Sequence, residues 1–150
     1  MRQHFHHRAP RTRAAWLACL AFALGGCQVE LLREHPLGCR GDEQRLVRDV
    51  LYFGTRLPNG AGDVDRSHFE QFEKDVLTPA FPAGFTVSEA SGYWRGADQQ
   101  QTHERTFVVT IVHADDAQFA ANVRAVAQRY RAMYQQESVL RERSNVCAQF

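Results

Sequence analysis

The sequence predicts an α+β fold of the ferredoxin-like class, a β-α-β-β-α-β sandwich with two helices on one face of an antiparallel sheet. Two adjacent segments carry most of this prediction. The segment THERTFVVTIVH, Thr102–His113, alternates so that Phe107, Val109 and Ile111 share one face of a strand. Ala114–Gln135 follows with apolar residues at helical spacing. Weaker strand and helix patterns on either side of this pair complete the order.

The first strand is predicted over Arg45–Leu57, which is rich in β-forming residues and is followed by the turn sequence PNGAG. The first helix is predicted over Asp65–Leu77. Either Asp65 or Ser67 can cap this helix, and Ser67 with Glu70 three residues later fits a capping box. Its apolar residues at helical spacing are Phe69, Phe72 and Val76. The segment TPAFPAG then ends the helix and turns the chain.

The second half of the chain supplies the remaining strands and the longer helix. Phe85–Arg95 begins with alternating apolar residues and predicts the second strand, which the turn GADQQQ separates from the third. The helix after the third strand has an apolar stripe of the kind that faces a sheet. The stripe consists of Phe119, Val123, Val126, Tyr130 and Met133. Ser138–Phe150 is the predicted fourth strand.

Two cysteines are expected to form a disulfide bond. In the predicted topology the last strand lies beside the first and runs antiparallel to it, so the residues before strand one approach the end of strand four. Those positions hold Cys39 and Cys147. An exported protein would meet an oxidising compartment, which favours the bond. The alternative is a pair of unpaired thiols, with Cys147 buried.

The beginning of the chain predicts export and a lipid anchor. The first thirteen residues carry four arginines and no acid, and the uncharged apolar run Ala14–Leu24 follows. This pattern is typical of a secretory signal peptide and is too short for a membrane span. The run ends in LGGC, which resembles the lipobox of bacterial lipoproteins and implies cleavage before Cys27 and acylation of it. Gln28, rather than an aspartate, favours the outer membrane. An ordinary signal peptide, releasing a secreted or soluble periplasmic protein, is the alternative.

These signals divide the chain into a signal peptide (1–26), a lipid-anchored tether (27–44) and one domain (45–150). Removal of the leader leaves 14 basic residues (18 − 4) against 17 acidic ones, so the mature chain is near −3 and no nucleic-acid partner is expected. Cleavage of the signal peptide would also remove His4, His6 and His7. No remaining histidine or cysteine spacing suggests a metal, and no phosphate-binding loop suggests a cofactor.

A family resemblance covers Leu51 to Phe150. The segments LYFGTRLPNG, LTPAFPAGFTV, GYWRG, HER and YQQESVL, in this order and spacing, resemble a bacterial family catalogued as a domain of unknown function, numbered 3574. Where the family usually has Gly-Gln-Trp-Arg, this chain has Tyr93 in place of the glutamine. The family's usual PRFPDGLTV appears as PAFPAGFTV, with Ala80 and Ala83 replacing an arginine and an acid. The resemblance implies export or lipid anchoring and brings no established activity.

The candidate ligand-binding residues lie at strand ends and in the loop after the long helix. Aromatic side chains, including that of Tyr134, could line a pocket or belong to the core. Across the hairpin between the second and third strands, Arg95 and Glu104 could face each other, either to hold an anionic ligand or as a structural ion pair. The polar loop residues could present groups to a ligand or satisfy the helix end. The candidates are Tyr52, Trp94, Arg95, Glu104, Gln136 and Ser138.

The sequence contains no nucleophile motif, so no residue is predicted to be catalytic. The expected function is therefore a binding or interaction module at the cell envelope, anchored to the membrane through lipid, with an envelope protein or a small ligand as its partner. The alternative is a small periplasmic enzyme that uses a pocket on the sheet face around Trp94, Arg95 and Glu104. Further alternatives are a homodimer that closes this face and a purely structural role.

Overall fold

The computed structural model describes residues 38–97 and 99–150 of the chain. The expected signal peptide, the expected acylation site Cys27 and the first part of the expected tether lie outside the described residues. Within the described part, no helix is both long and apolar enough to cross a membrane.

The elements form one four-stranded antiparallel sheet with helices on one face, so the ferredoxin-like α+β prediction is confirmed. The strand order is β2-β3-β1-β4, which places the first and third strands in the centre. The elements are β1 (Gln44–Gly54), α1 (Arg66–Phe72), α2 (Thr78–Ala80), β2 (Thr86–Arg95), β3 (Gln101–His113), α3 (Ala117–Tyr134) and β4 (Leu140–Ala148). The first helix of the prediction is thus two short helices, joined by a π-helical turn over Glu73–Leu77.

The start of α1 differs from the capping box that the sequence allowed. The cap is Asp65, whose carboxylate accepts a hydrogen bond from the backbone N–H of His68 at 2.9 Å. Ser67 instead donates its hydroxyl to the same carboxylate. These bonds, with the backbone bond from His68 first, lower the pKa of Asp65 to about 2. The capping carboxylate therefore stays ionised over nearly the whole acidic range.

The core lies between the helices and one face of the sheet. Alternation puts the odd-numbered residues of β1 and β3 on this face, where Phe53 is fully buried against the rings of α1 and α3. The ring of Phe69 stacks on Phe107 at 4.0 Å between centroids. Met133, predicted to lie on the apolar stripe of α3, is 42% exposed, and that part of the prediction is wrong. Tyr134 packs against the core instead, because it lies one full turn after Tyr130.

A charged cluster is buried beside the apolar core. Asp49 of β1 is fully buried, and both of its oxygens accept hydrogen bonds from Arg141 of β4, at 2.7 and 2.8 Å. His113, at the end of β3, lies 2.9 Å from the same carboxylate. Burial alone would raise the pKa of Asp49, but the hydrogen bonds from Arg141 and His113 outweigh it and hold the pKa below 3.8. The ion pair between Asp49 and Arg141 joins the central strand β1 to the edge strand β4.

Cys39 and Cys147 form the expected disulfide bond, with their Cα atoms 5.4 Å apart and 108 positions apart in sequence. Cys147 lies opposite Arg45 in the β1–β4 register, so the bond holds the segment before β1 against the end of β4. A turn between Arg40 and Glu43 leads from the disulfide into β1. The last residues of the expected tether are therefore attached to the domain.

Candidate functional site

The face of the sheet opposite the helices carries an open cleft of about 580 Å³. It lies where β1 and β2 end and β3 and β4 begin. Its walls come from the loop after β1, which includes the turn Pro58–Gly60, and from the loop Gln135–Ser138 that leads into β4. A volume of this size is within the range of small-molecule sites.

Two glycines create the floor of this cleft. Gly54 of β1 lies opposite Thr106 in the register, and Gly92 of β2 lies opposite Glu104. A Cβ atom at Gly54 would lie 2.6 Å from Oε1 of Glu104, and one at Gly92 would lie 2.6 Å from Oγ1 of Thr106. Glycine inside a strand often marks a place where another group approaches the backbone closely. Because Gly54 and Gly92 have no side chain, the carboxylate of Glu104 and the hydroxyl of Thr106 fit over them on this face of the sheet.

Glu104 is the carboxylate on this floor, and it is partly buried. Its Oε2 accepts a hydrogen bond from the backbone N–H of Arg56 at 2.8 Å. The carbonyl oxygen of Arg56 accepts a hydrogen bond from the side-chain amide of Gln136, also at 2.8 Å. The backbone of Arg56 is thus held from both sides, and this contact links the wall after β1 to the wall before β4.

Aromatic and apolar side chains form the rest of the cleft. Trp94 lies next to Gly92 on the same face of β2, so it is a diagonal neighbour of Glu104 and is 43% exposed. Tyr52 lies opposite Leu140, which is half exposed. Burial, and then the nearby carboxylate of Glu142, raises the pKa of Tyr52. The cleft therefore combines ring surfaces with a fixed carboxylate.

The helix layer supports the cleft from behind. The hydroxyl of Tyr130 in α3 donates a hydrogen bond to the carbonyl oxygen of Gly54 at 2.9 Å. Burial of this phenol in the core, followed by the negative charge around it, raises its pKa far above 10. Tyr130 is therefore a permanent donor, and it fixes the strand position over which Glu104 lies.

The structure brings five of the six candidate residues to the cleft: Tyr52, Trp94, Glu104, Gln136 and Ser138. The expectation that Arg95 and Glu104 face each other across the hairpin is wrong. In the register Arg95 pairs with Gln101, and Glu104 pairs with Gly92. Because side chains alternate along a strand, Arg95 and Trp94 point to opposite faces, and Arg95 does not line the cleft.

Sequence reasoning missed several residues of the site. Arg56 and Glu137 lie in the two loop walls, and their sequence context carries no pattern that marks them. Gly54 and Gly92 did carry a signal, since each is a glycine within a strand pattern.

A second cleft, of about 410 Å³, lies on the other side of the Pro58–Gly60 turn. Tyr134, a pocket candidate from the sequence, lines that second cleft, and its hydroxyl donates to the carbonyl of His68.

The described residues contain no group of three or more histidine, cysteine, aspartate or glutamate side chains that could hold a metal ion. The side chains that line the cleft supply the carboxylates of Glu104 and Glu137, the guanidinium of Arg56, amides, hydroxyls and aromatic rings.

The fold and the cleft together define a ferredoxin-like α+β domain with a small-molecule-sized cleft on the sheet face opposite its helices. Residues 48–150 match the family described as "Protein of unknown function (DUF3574)", and the chain belongs to this family. The family resemblance seen in the sequence is thus confirmed. No curated protein matches the chain.

Solved structures show the same fold at low sequence identity. One is a phage SAM lyase in complex with S-methyl-5'-thioadenosine, which is 13% identical, with a TM-score of 0.55 over 74% of this chain and 94% of that one. Another is a phage SAM lyase in the apo state, which is 15% identical, with a TM-score of 0.52 over 75% of this chain and 90% of that one. At these identities the likeness concerns the fold alone.

Proposed function

We propose that this protein is a lipid-anchored binding module of the bacterial cell envelope and that it takes a small organic ligand into the cleft on its open sheet face. The observation that carries the proposal is the floor of the cleft. Gly54 and Gly92 leave room for a partly buried carboxylate beside the exposed ring of Trp94. A strand glycine beside a polar group in a concave site is the arrangement expected of a site that admits a ligand close to the backbone.

The location in the envelope rests on the leader and on the disulfide. LGGC supports acylation of Cys27, and Gln28 supports delivery to the outer membrane, with the domain facing the periplasm. The Cys39–Cys147 bond supports residence in an oxidising compartment. Mass spectrometry of the envelope fraction tests the anchor, because the mature chain is expected to begin at an acylated Cys27. A mature chain that begins at any other residue contradicts it.

Binding can be followed with the intrinsic fluorescence of the mature protein, purified in detergent from the cell envelope. The chain has two tryptophans, and Trp16 lies in the expected signal peptide, so Trp94 is the only tryptophan left after cleavage. A screen of envelope metabolites should find compounds that change this fluorescence in a saturable way.

Gly92→Ala should abolish the response, because the added methyl group would lie 2.6 Å from Oγ1 of Thr106 and would displace this side chain of the cleft floor. Ser88→Ala is the control, since Ser88 is on the same face of β2, lies opposite Val108 and is outside the cleft. A response that survives Gly92→Ala unchanged would place the ligand elsewhere.

Catalysis in the same cleft is the second candidate function. It is favoured by the way Glu104 is held: a backbone N–H binds Oε2, while Oε1 lies over Gly54 at the floor. A carboxylate fixed in this way is placed to act as a general base. The shared fold makes SAM and S-methyl-5'-thioadenosine the first compounds to test. Consumption of either that disappears in Glu104→Gln would favour the enzyme, and binding without turnover would favour the binding module.

A further inference from the structure

The charges that line the cleft do not balance. Among the described residues, the charged side chains of the lining are Arg56, Glu104 and Glu137. The guanidinium of Arg56 pairs with Asp63, with Nε 3.2 Å from Oδ1. The loop after β1 thus supplies a counter-charge to Arg56, and among the described residues its guanidinium pairs with Asp63 rather than with either glutamate.

Among residues 38–97 and 99–150, both carboxylates accept hydrogen bonds from backbone N–H groups. Glu104 accepts one from the N–H of Arg56, and Glu137 accepts one from the N–H of Ala97 at 3.3 Å. A neutral peptide N–H satisfies one lone pair but leaves the unit negative charge uncompensated. Within the described part of the chain, neither glutamate has a cationic partner. The walls and floor therefore present two negative charges to whatever enters the cleft.

The surroundings of Glu104 strengthen its attraction for a cation. The residue is partly buried on the floor, where the effective dielectric constant is lower than in water, and charge interactions are stronger there. Trp94, its diagonal neighbour, offers an exposed ring at the same level. An organic cation in this position is attracted both by the quadrupole of the aromatic ring and by the negative charge of the carboxylate.

On this basis we infer that the ligand of the cleft is a small organic cation, with an ammonium group directed at Glu104 and an apolar or aromatic part against Trp94. The inference rests on the proposed function and adds the chemical class of the ligand. An ammonium fits better than a guanidinium, because a guanidinium fork binds both oxygens of a carboxylate and Oε2 is already held by Arg56. Glu137 and the loop amides can accept the remaining ammonium hydrogens. An anionic ligand would meet two like charges.

The test uses a library of matched fragment triplets, in which the same aliphatic or aromatic skeleton carries an amine, an alcohol or a carboxylate. An example is 2-phenylethylamine, 2-phenylethanol and phenylacetate. Each compound is titrated into the mature, detergent-solubilised protein, and the dissociation constant is obtained from the fluorescence of Trp94. The amine of a triplet is expected to bind at least about tenfold more tightly than the alcohol, with the carboxylate weakest. The preference should weaken as salt is added.

The variants Glu104→Gln and Glu137→Gln separate charge from shape. Glu104→Gln keeps an oxygen that can accept from Arg56, and it should weaken amine binding about tenfold while changing alcohol binding less than about twofold. Glu137→Gln should weaken amine binding by a smaller factor. Glu70→Gln, an exposed acid of α1 outside the cleft, is the control and should leave every affinity unchanged.

The outcomes distinguish the two proposals. If alcohols or carboxylates bind as tightly as their amines, the ligand class is wrong while the binding site stands. If amines bind preferentially but Glu104→Gln retains the preference, the assigned carboxylate is wrong. If no amine of any triplet changes the fluorescence of Trp94, the ligand class is wrong. If the screen of envelope metabolites also gives no saturable change, the proposed function itself fails.

Discussion

Replacement of Asp49 by asparagine tests what holds β4 to the sheet. The substitution keeps the size of the side chain and removes its charge. Two hydrogen bonds from Arg141, at 2.7 and 2.8 Å, and one from His113, at 2.9 Å, converge on this carboxylate. An asparagine has one acceptor oxygen, and its amide group presents hydrogens to donors that already carry them.

The expected loss of unfolding free energy follows from the burial of the pair. Removing one partner of a buried ion pair costs roughly 3–5 kcal/mol, because the other charge is left uncompensated. The Asp49 side chain is fully buried and that of Arg141 is 25% exposed, so water can partly solvate the remaining guanidinium. A loss of about 3 kcal/mol, at the lower end of this range, is therefore expected.

The assay is urea unfolding of the mature protein at pH 7, followed by circular dichroism. The matched control is Asp115→Asn, since Asp115 pairs with Arg143, two residues along β4 from Arg141, and the two side chains are 69% and 41% exposed. That exposed pair should contribute at most about 1 kcal/mol. Equal losses in the two variants would refute the reasoning, because they would show that burial does not strengthen the Asp49 pair.

The difference in stability between the wild type and Asp49→Asn should depend on pH in a defined direction. The pKa of Asp49 in the folded protein lies below its ordinary value of 3.8, so its contribution to stability is present above pH 3.8. The contribution is lost as the pH falls through the folded pKa. The difference in stability between the wild type and Asp49→Asn should therefore be constant near neutrality and narrow below pH 3.8. A difference that persists unchanged in acid would contradict the assignment.

Three further measurements address other parts of the domain. Replacing Cys39 and Cys147 together by serine should lower the unfolding free energy by up to about 4.7 kcal/mol, the chain-entropy value for a loop of roughly 100 residues, whereas a loss near zero in urea unfolding would contradict it. Tyr130→Phe removes the hydrogen bond to the carbonyl of Gly54 and should cost about 1 kcal/mol in the same assay, with no loss expected if the bond is absent. Asp65→Asn should remove the acid sensitivity that Asp65 confers between pH 3.8 and its pKa of about 2, measured by thermal unfolding from pH 2 to 5; an unchanged pH profile would exclude it as the ionised cap.

The order of elements could be predicted because each element carries a local pattern. The alternation in β3 and the spacing in α3 reflect burial of one face, and the structure has both elements within a few residues of the predicted bounds. The division of the first helix could not be predicted in this way. Pro79 lacks an N–H and its ring crowds the preceding turn, but whether a helix ends, kinks or widens there depends on the packing around it.

The site was only partly accessible to sequence reasoning. Tyr52, Trp94 and Glu104 were candidates because of their residue types and their places near strand ends, and they do line one cleft. The pairing of Glu104 with Arg95 was wrong because the hairpin register was unknown. A shift of one position along a strand moves a side chain to the opposite face of the sheet. Residue type therefore indicated which side chains could line a site, but the sequence did not show which of them face each other.

The sequence alone determined the class of fold, the two cysteines that approach each other and the membership in the family, because these depend on local periodicity, chain order and a run of characteristic segments. Tertiary structure decided which groups meet. The charge cluster at Asp49 and the cleft between Gly54 and Gly92 each combine residues from distant strands, with partners up to 92 positions apart in the chain. No local pattern encodes such contacts, since they arise from the strand register and from the position of the loops above the sheet.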